Sequence, residues 1–320
     1  MRRVLTILMV MSILSGCNDS KPIEGPCKIG FASQVNNRSF ITGIEDLQKE
    51  ELKLYGAYTL DGSSARVFDA ERLYYDSTLP GWDYDNTQYW IMNATYRFCA
   101  VSPYSLPRTS FDDERGVFTI DDYMGYTGGP DILYASAERD LRDNEDYSTV
   151  LLHFRHACAG VQFNLINASS QVLKDVRNIR LVGLQNRGDF SFDAEGSAAW
   201  ILDGSTIGDS DYDQPFGGIC TLPSGGLPVN LNVKHPLYDE SVLMVLPQTV
   251  YKTPITLHLE YIKEGDAEYA VRNIELGWLG GTTPTEWKRG EKYEYNLTIT
   301  DNTITAEVRV VDWIDHFVDL

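Results

Sequence analysis

Lys292-Tyr293-Glu294-Tyr295-Asn296-Leu297-Thr298-Ile299-Thr300 alternates apolar and polar side chains without a break. Tyr293, Tyr295, Leu297 and Ile299 fall on one side, and Glu294, Asn296, Thr298 and Thr300 on the other. Successive side chains of an extended chain point to opposite faces, so a period of two describes a strand with one dry and one wet face. That is the pattern of antiparallel sheets. It recurs at 255–262 and 303–311, and strand-like runs occupy 28–35, 52–59, 65–75, 89–101, 117–121, 150–166, 176–184, 228–233 and 242–247. Turn signals separate them, among them Asp61-Gly62, Pro80-Gly81, Gly128-Gly129-Pro130, Asp203-Gly204 and Gly225-Gly226. Only 44–53 suggests a helix, a short one. About fifteen strands with frequent turns predict an all-β protein of two antiparallel β-sandwiches in tandem. The polar stretch 167–170 sets the expected boundary, giving sandwiches over 27–168 and 169–320, with a break as late as Gly204 as the alternative.

The composition limits what such a chain can do. Its 320 residues carry 27 Lys+Arg against 46 Asp+Glu, a formal net charge of −19. A chain this acidic repels phosphate and anionic lipid surfaces, which argues against nucleic acid as a partner. Hydrophobic residues at 43% are enough to build cores and exclude global disorder.

The N-terminus reads as an export and anchoring signal. Arg2 and Arg3 precede the apolar run VLTILMVMSIL at 4–14, too short to span ~30 Å of hydrocarbon but suited to a signal-peptide core. The run ends at Leu14-Ser15-Gly16-Cys17, which resembles the bacterial lipoprotein box. The expectation is a signal peptide over 1–16, lipidation of Cys17, a polar tether over 17–26, and an outer-membrane, cell-surface location. Cys27, Cys99, Cys158 and Cys220 remain, and their disulfide state is open; Cys99 and Cys158 lie in apolar runs where free buried thiols are common.

Catalytic and metal-binding templates find no footing. GxSxG, GxGxxG and the Walker pattern are absent, so no catalytic residue and no cofactor is expected. His153 and His156 sit three apart in a strand-like run, so they point to opposite faces and cannot share a metal. Asp209-Ser210-Asp211-Tyr212-Asp213 begins like a calcium loop, then places Gln214 where glycine is needed. Trp82, Tyr84 and Tyr89 form a candidate glycan or adhesion surface, with strand-core packing as the competing reading.

Several ordered segments together resemble the fimbrillin-like family of Bacteroidetes surface proteins. They are Gln88-Tyr89-Trp90-Ile91 with Tyr96-Arg97-Phe98-Cys99-Ala100-Val101-Ser102-Pro103-Tyr104; Asp131-Ile132-Leu133-Tyr134-Ala135; and VLLHFRHACAGVQFNL at 150–165. Leu246-Pro247-Gln248, then Trp287-Lys288-Arg289-Gly290-Glu291-Lys292-Tyr293-Glu294-Tyr295, and Val310-Val311-Asp312-Trp313 complete the series. The resemblance implies two transthyretin-like sandwiches and a structural or accessory role in type V fimbriae, with adhesion and assembly in place of catalysis. It implies other fimbrial subunits as partners through strand addition, beside the lipid anchor and host or bacterial surface ligands. It also implies proteolytic maturation after a basic residue that removes the first strand; Arg38-Ser39, in the polar stretch after 28–35, is the candidate scissile bond. The alternative is a non-polymerising, glycan-binding surface lipoprotein.

Overall fold

The computed structural model describes residues 26–35, 47–78, 81–142, 146–204, 220–232 and 242–312. Within them the chain is built from strands. The first nine are β1 (Phe31–Val35), β2 (Leu52–Leu60), β3 (Ser63–Asp76), β4 (Gly81–Tyr84), β5 (Thr95–Ser102), β6 (Thr109–Asp112), β7 (Val117–Met124), β8 (Leu133–Asp140) and β9 (Val150–His156). There follow β10 (Ala159–Asn167), β11 (Leu173–Val182), β12 (Arg187–Asp193), β13 (Ala198–Leu202), β14 (Cys220–Leu222), β15 (Val229–Asn230) and β16 (Leu243–Val245). The last are β17 (Gln248–Thr249), β18 (Thr256–Lys263), β19 (Ala270–Glu275), β20 (Glu286–Trp287), β21 (Glu291–Ile299) and β22 (Ile304–Asp312).

Seven strands close on themselves in the order β1-β4-β3-β2-β5-β8-β9. Inside lies an aromatic core that includes Phe31, Phe68, Tyr84, Trp90, Tyr96 and Phe98. A second sheet, β13-β12-β7-β6, packs on the outside of that ring through Phe118, Phe190, Phe192 and Tyr134. A third core gathers β10, β11, β18 and β21 around Phe163, Tyr261, Trp287 and Tyr295. Its two sheets run β15-β10-β21-β22 and β14-β11-β18-β19.

Alternation carries straight into this packing. Tyr293, Tyr295, Leu297 and Ile299 are all buried, and the Trp287 indole N–H donates to the Tyr295 hydroxyl at 2.9 Å. Strand β21 pairs in parallel with β10 from Gly160↔Lys292 to Asn167↔Ile299. Trp313 lies outside the described residues.

Three expectations change. The apolar run 150–166 is two strands, because at Ala157 the chain leaves one sheet for another: the Ala157 N–H donates to the Ile132 carbonyl, and the Cys158 carbonyl accepts from Gly290. The run 89–101 becomes strand only from Thr95, after Asn93 turns through a left-handed φ of 61°. Of the helix expected over 44–53, Leu47 is helical, while Leu52 and Lys53 belong to β2. The 167–170 segment joins β10 to β11, both in the third core, and buried Asn167 caps the turn by donating to the Gln171 and Leu222 carbonyls. Cys99, Cys158 and Cys220 are free thiols.

Candidate functional site

Strand β1 is the stave that closes the barrel, and the site is the slot it fills. Its sequence, FASQV, is short and β-rich, and it lies in parallel along β9 from Phe31↔Val150 to Val35↔Phe154. On its other side it meets β4 at a single position, Phe31↔Trp82. The Phe31 ring wedges edge-on among Phe98 at 5.4 Å, Phe68 at 5.7 Å and Tyr84 at 6.0 Å between centroids. Edge-to-face aromatic contacts add to the stabilisation that burial already provides. Gly56 makes room for this cluster, since a β-carbon there would press on the Phe98 ring.

The residues leading into β1 are tied down one by one. The Ile29 N–H donates to the Gln88 carbonyl at 2.9 Å, the Trp90 N–H to Cys27 at 3.0 Å, and the Val150 N–H to Gly30 at 2.8 Å. The Tyr84 hydroxyl donates to the Ile29 carbonyl at 2.7 Å, and burial pushes the Tyr84 phenol up to about 12. The Lys28 ammonium pairs with Asp83 at 2.6 Å and sits 4.8 Å from the centre of the Tyr84 ring. Burial alone would raise the Asp83 carboxyl, but hydrogen bonds from Lys28 and the Tyr84 N–H, with the Lys28 charge, bring it below its ordinary value. Both partners are near half exposed, so the pair contributes little beyond orientation.

What this arrangement can do chemically is present or withhold a strand position. With β1 in place, β4 and β9 are covered. Without it, they become two facing edges with unpaired backbone groups above a floor of Phe68, Tyr84, Phe98, Leu152 and Phe154.

The residues singled out from sequence fall as follows. Trp82 and Tyr84 are buried, at 8% and 3% exposure, and Tyr89 is exposed at 48%. Trp82 and Tyr84 are two apart on β4, so one face carries both into the barrel, whereas Tyr89 lies on the following loop. The three therefore form no common exposed platform, which corrects the glycan-surface expectation on geometric grounds. Cys17, Arg38, Ser39 and the acidic stretch 209–213 lie outside the described residues. Arg38 follows the end of β1 at Val35 by three positions. His153 is exposed and His156 buried, on opposite faces of β9 as their spacing requires. His156 Nδ1 lies 3.0 Å from both Asp131 carboxylate oxygens, a buried pair that pins the start of β8 to the end of β9. Among the described residues no group of three or more His, Cys, Asp or Glu side chains could hold a metal ion. No helix of the described residues is long and apolar enough to cross a membrane.

Sequence reasoning placed Phe31 in the first strand but missed the slot around it. Parallel pairing with β9 joins positions more than a hundred residues apart, and no local pattern announces such a partner.

Comparison with known proteins agrees with the layout. The fimbrillin-like family model matches residues 45–313. A solved fimbrial protein from Bacteroides vulgatus is similar in fold, with 15% identity over 89% of this chain and 99% of its own, at a TM-score of 0.58. A proposed cell adhesion protein from Bacteroides uniformis matches at 16% identity over 92% and 100% of the two chains, with a TM-score of 0.54. Another from Bacteroides ovatus matches at 15% identity over 91% and 99%, with a TM-score of 0.51. No curated protein matches the chain.

Proposed function

Because this chain belongs to the fimbrillin-like family, we propose that it is a structural or accessory subunit of type V fimbriae that assembles by strand addition. Membership makes it a structural cell-surface protein and not an enzyme. The observation that carries the finer reading is β1 itself. A short N-terminal strand closes the barrel, touches β4 at one position only, and is followed within three residues by Arg38.

Cleavage at Arg38-Ser39 would detach β1 together with everything before it, including Cys17 and its lipid. The vacated slot would offer unpaired backbone on β4 and β9 and an apolar floor, and a strand from another subunit would satisfy both. Addition of that kind is heterologous and does not close, so it propagates a filament. In this reading Cys17 anchors the precursor in the outer membrane, and the chain is a tandem of transthyretin-like sandwiches. Strand β9 is the last stave of the barrel and β10 the first strand of the third core, whereas β12 and β13 return to the sheet packed on the barrel.

Limited digestion of the purified precursor with a trypsin-like protease tests the proposal. The expected result is a new N-terminus at Ser39, loss of the 26–35 peptide, and higher oligomers on size-exclusion chromatography. Resistance of Arg38, or a cut chain that stays monomeric with other subunits supplied, would overturn it.

A further inference from the structure

Where β13, the β17–β20 pair and the turn before β18 come together, they leave an open cleft of about 510 Å³. The size lies in the range of small-molecule sites, which favour the junctions between structural units. Trp200 of β13 lines it, half-buried. Its indole packs against Phe190 and Tyr123, at 5.0 and 5.7 Å between centroids, and its ring N–H donates to the Ala157 carbonyl at 2.6 Å. Arg289 is held in the same wall, donating to the Ala198 carbonyl at 2.6 Å with its guanidinium 5.3 Å from the centre of the Tyr134 ring. Both side chains are thus fixed before any ligand arrives, which lowers the ordering cost of binding. The lip carries Glu286 and Lys288, both exposed and loosely paired at 3.9 Å, with Glu291 also 3.9 Å from Lys288.

Aromatic surface continues past the lip. The Tyr251 N–H donates at 3.2 Å to the carbonyl of Thr285, the residue before Glu286, and the Lys252 N–H donates at 3.0 Å to Gly277. Tyr251 and Trp278 flank that second bond and stand 47% and 57% exposed. The close approach requires glycine at 277, where a β-carbon would run into the Thr253 carbonyl, and it holds Lys252 at a left-handed φ of 60°. Strain of this kind persists only where the surroundings enforce it, and it concentrates at binding sites.

We propose that this cleft binds an uncharged oligosaccharide, with one pyranose ring stacked on Trp200 and its hydroxyls shared among Glu286, Lys288 and Arg289, the chain continuing towards Tyr251 and Trp278. The chemistry selects the ligand class. An apolar ligand would strip water from Glu286 and Lys288 and return nothing. A phosphate or other anion meets Glu286 and a chain of net charge −19. A hydroxyl both donates and accepts, so adjacent sugar hydroxyls serve a carboxylate and a cation side by side, and the C–H face of a pyranose suits an indole. The site uses none of Trp82, Tyr84 and Tyr89, and it does not depend on polymerisation.

Saturation-transfer NMR and tryptophan-fluorescence titration of the full chain test this, with N-acetyllactosamine, chitotriose, mannotriose and xylotriose as neutral probes and 3′-sialyllactose as the anionic arm. Saturable binding of at least one neutral probe is expected, weakened at least about tenfold by Trp200→Ala. Glu286→Gln and Lys288→Ala change exposed side chains and keep the test decisive if Trp200→Ala fails to fold; each should weaken binding by about threefold or more. No saturable neutral probe, binding of 3′-sialyllactose alone, or wild-type affinity in both lip variants would overturn the proposal.

Discussion

The hydroxyl of Tyr84 donates a 2.7 Å hydrogen bond to the carbonyl of Ile29, with both residues buried. Tyr84 closes β4, and Ile29 leads into β1, so one side chain ties the removable strand to the sheet edge it covers. The same ring packs against Phe31. One residue therefore combines a polar tether and an apolar seat.

Tyr84→Phe keeps the ring and loses the tether. The expected cost is about 1 kcal/mol in urea unfolding, because the Ile29 carbonyl loses a buried donor. The pH dependence gives a second reading. The phenol ionises near 10 in the unfolded chain and at about 12 when folded, so the unfolded state loses its proton first and stability falls as pH rises across that window. That fall should shrink in Tyr84→Phe. Identical alkaline profiles would show that the phenol is not buried.

Phe31→Ala empties the centre of the edge-on aromatic cluster. Truncating a buried phenylalanine costs about 3–5 kcal/mol, and the loss should be accompanied by faster proteolysis after residue 35, since β1 would release first. A loss below about 1 kcal/mol would show that β1 is not the wedge described.

Tyr295→Phe should cost about 1–3 kcal/mol, because it leaves the buried indole N–H of Trp287 without its acceptor. Tyr295→Ala should cost about 3–5 kcal/mol through cavity formation. Calorimetry of the two variants separates the polar from the packing contribution.

The thiols should react in a fixed order. Burial pushes Cys99 and Cys158 far above the ordinary thiol range, whereas Cys220 is half-buried and raised less. The thiolate is the reactive form, so iodoacetamide should label Cys220 in the native protein and reach the other two only after unfolding. Labelling of Cys158 at native rates would contradict its burial.

Lipidation at Cys17 predicts that Cys17→Ala leaves the membrane fraction and that the wild-type N-terminal peptide carries diacylglyceryl mass. A thioether and a disulfide cannot share one sulfur. Non-reducing peptide mapping that joined Cys17 to Cys27 would therefore exclude the anchor.

Much of the fold was legible because alternation is a local property. The run at 292–300 reads as one wet and one dry face, and it is β21 almost to the residue. Strand β8 escaped notice because its second half, Ala137-Glu138-Arg139-Asp140, is mostly charged, with Glu138 and Asp140 exposed. The break between β9 and β10 was invisible because Ala157 and Cys158 are as apolar and buried as their neighbours. Of the site, Phe31 could be seen and its partners could not. Aromatic residues in alternating runs also pack inward more often than they face water, as Trp82 and Tyr84 do.

The parallel pair of β10 and β21 sets a clock. The amides of Asn164 and Asn296 meet at 3.0 Å, yet 132 positions separate them along the chain. A ribosome adding about 5–20 residues each second takes on the order of ten seconds to cover that interval. Throughout it, the inward side chains of β10, Val161, Phe163 and Leu165, lack the strand that is to lie beside them. Contacts this distant also make closure slow once both strands exist. The C-terminal core thus waits for β21, whereas every strand of the barrel, all within residues 31–156, has been made before β10 begins.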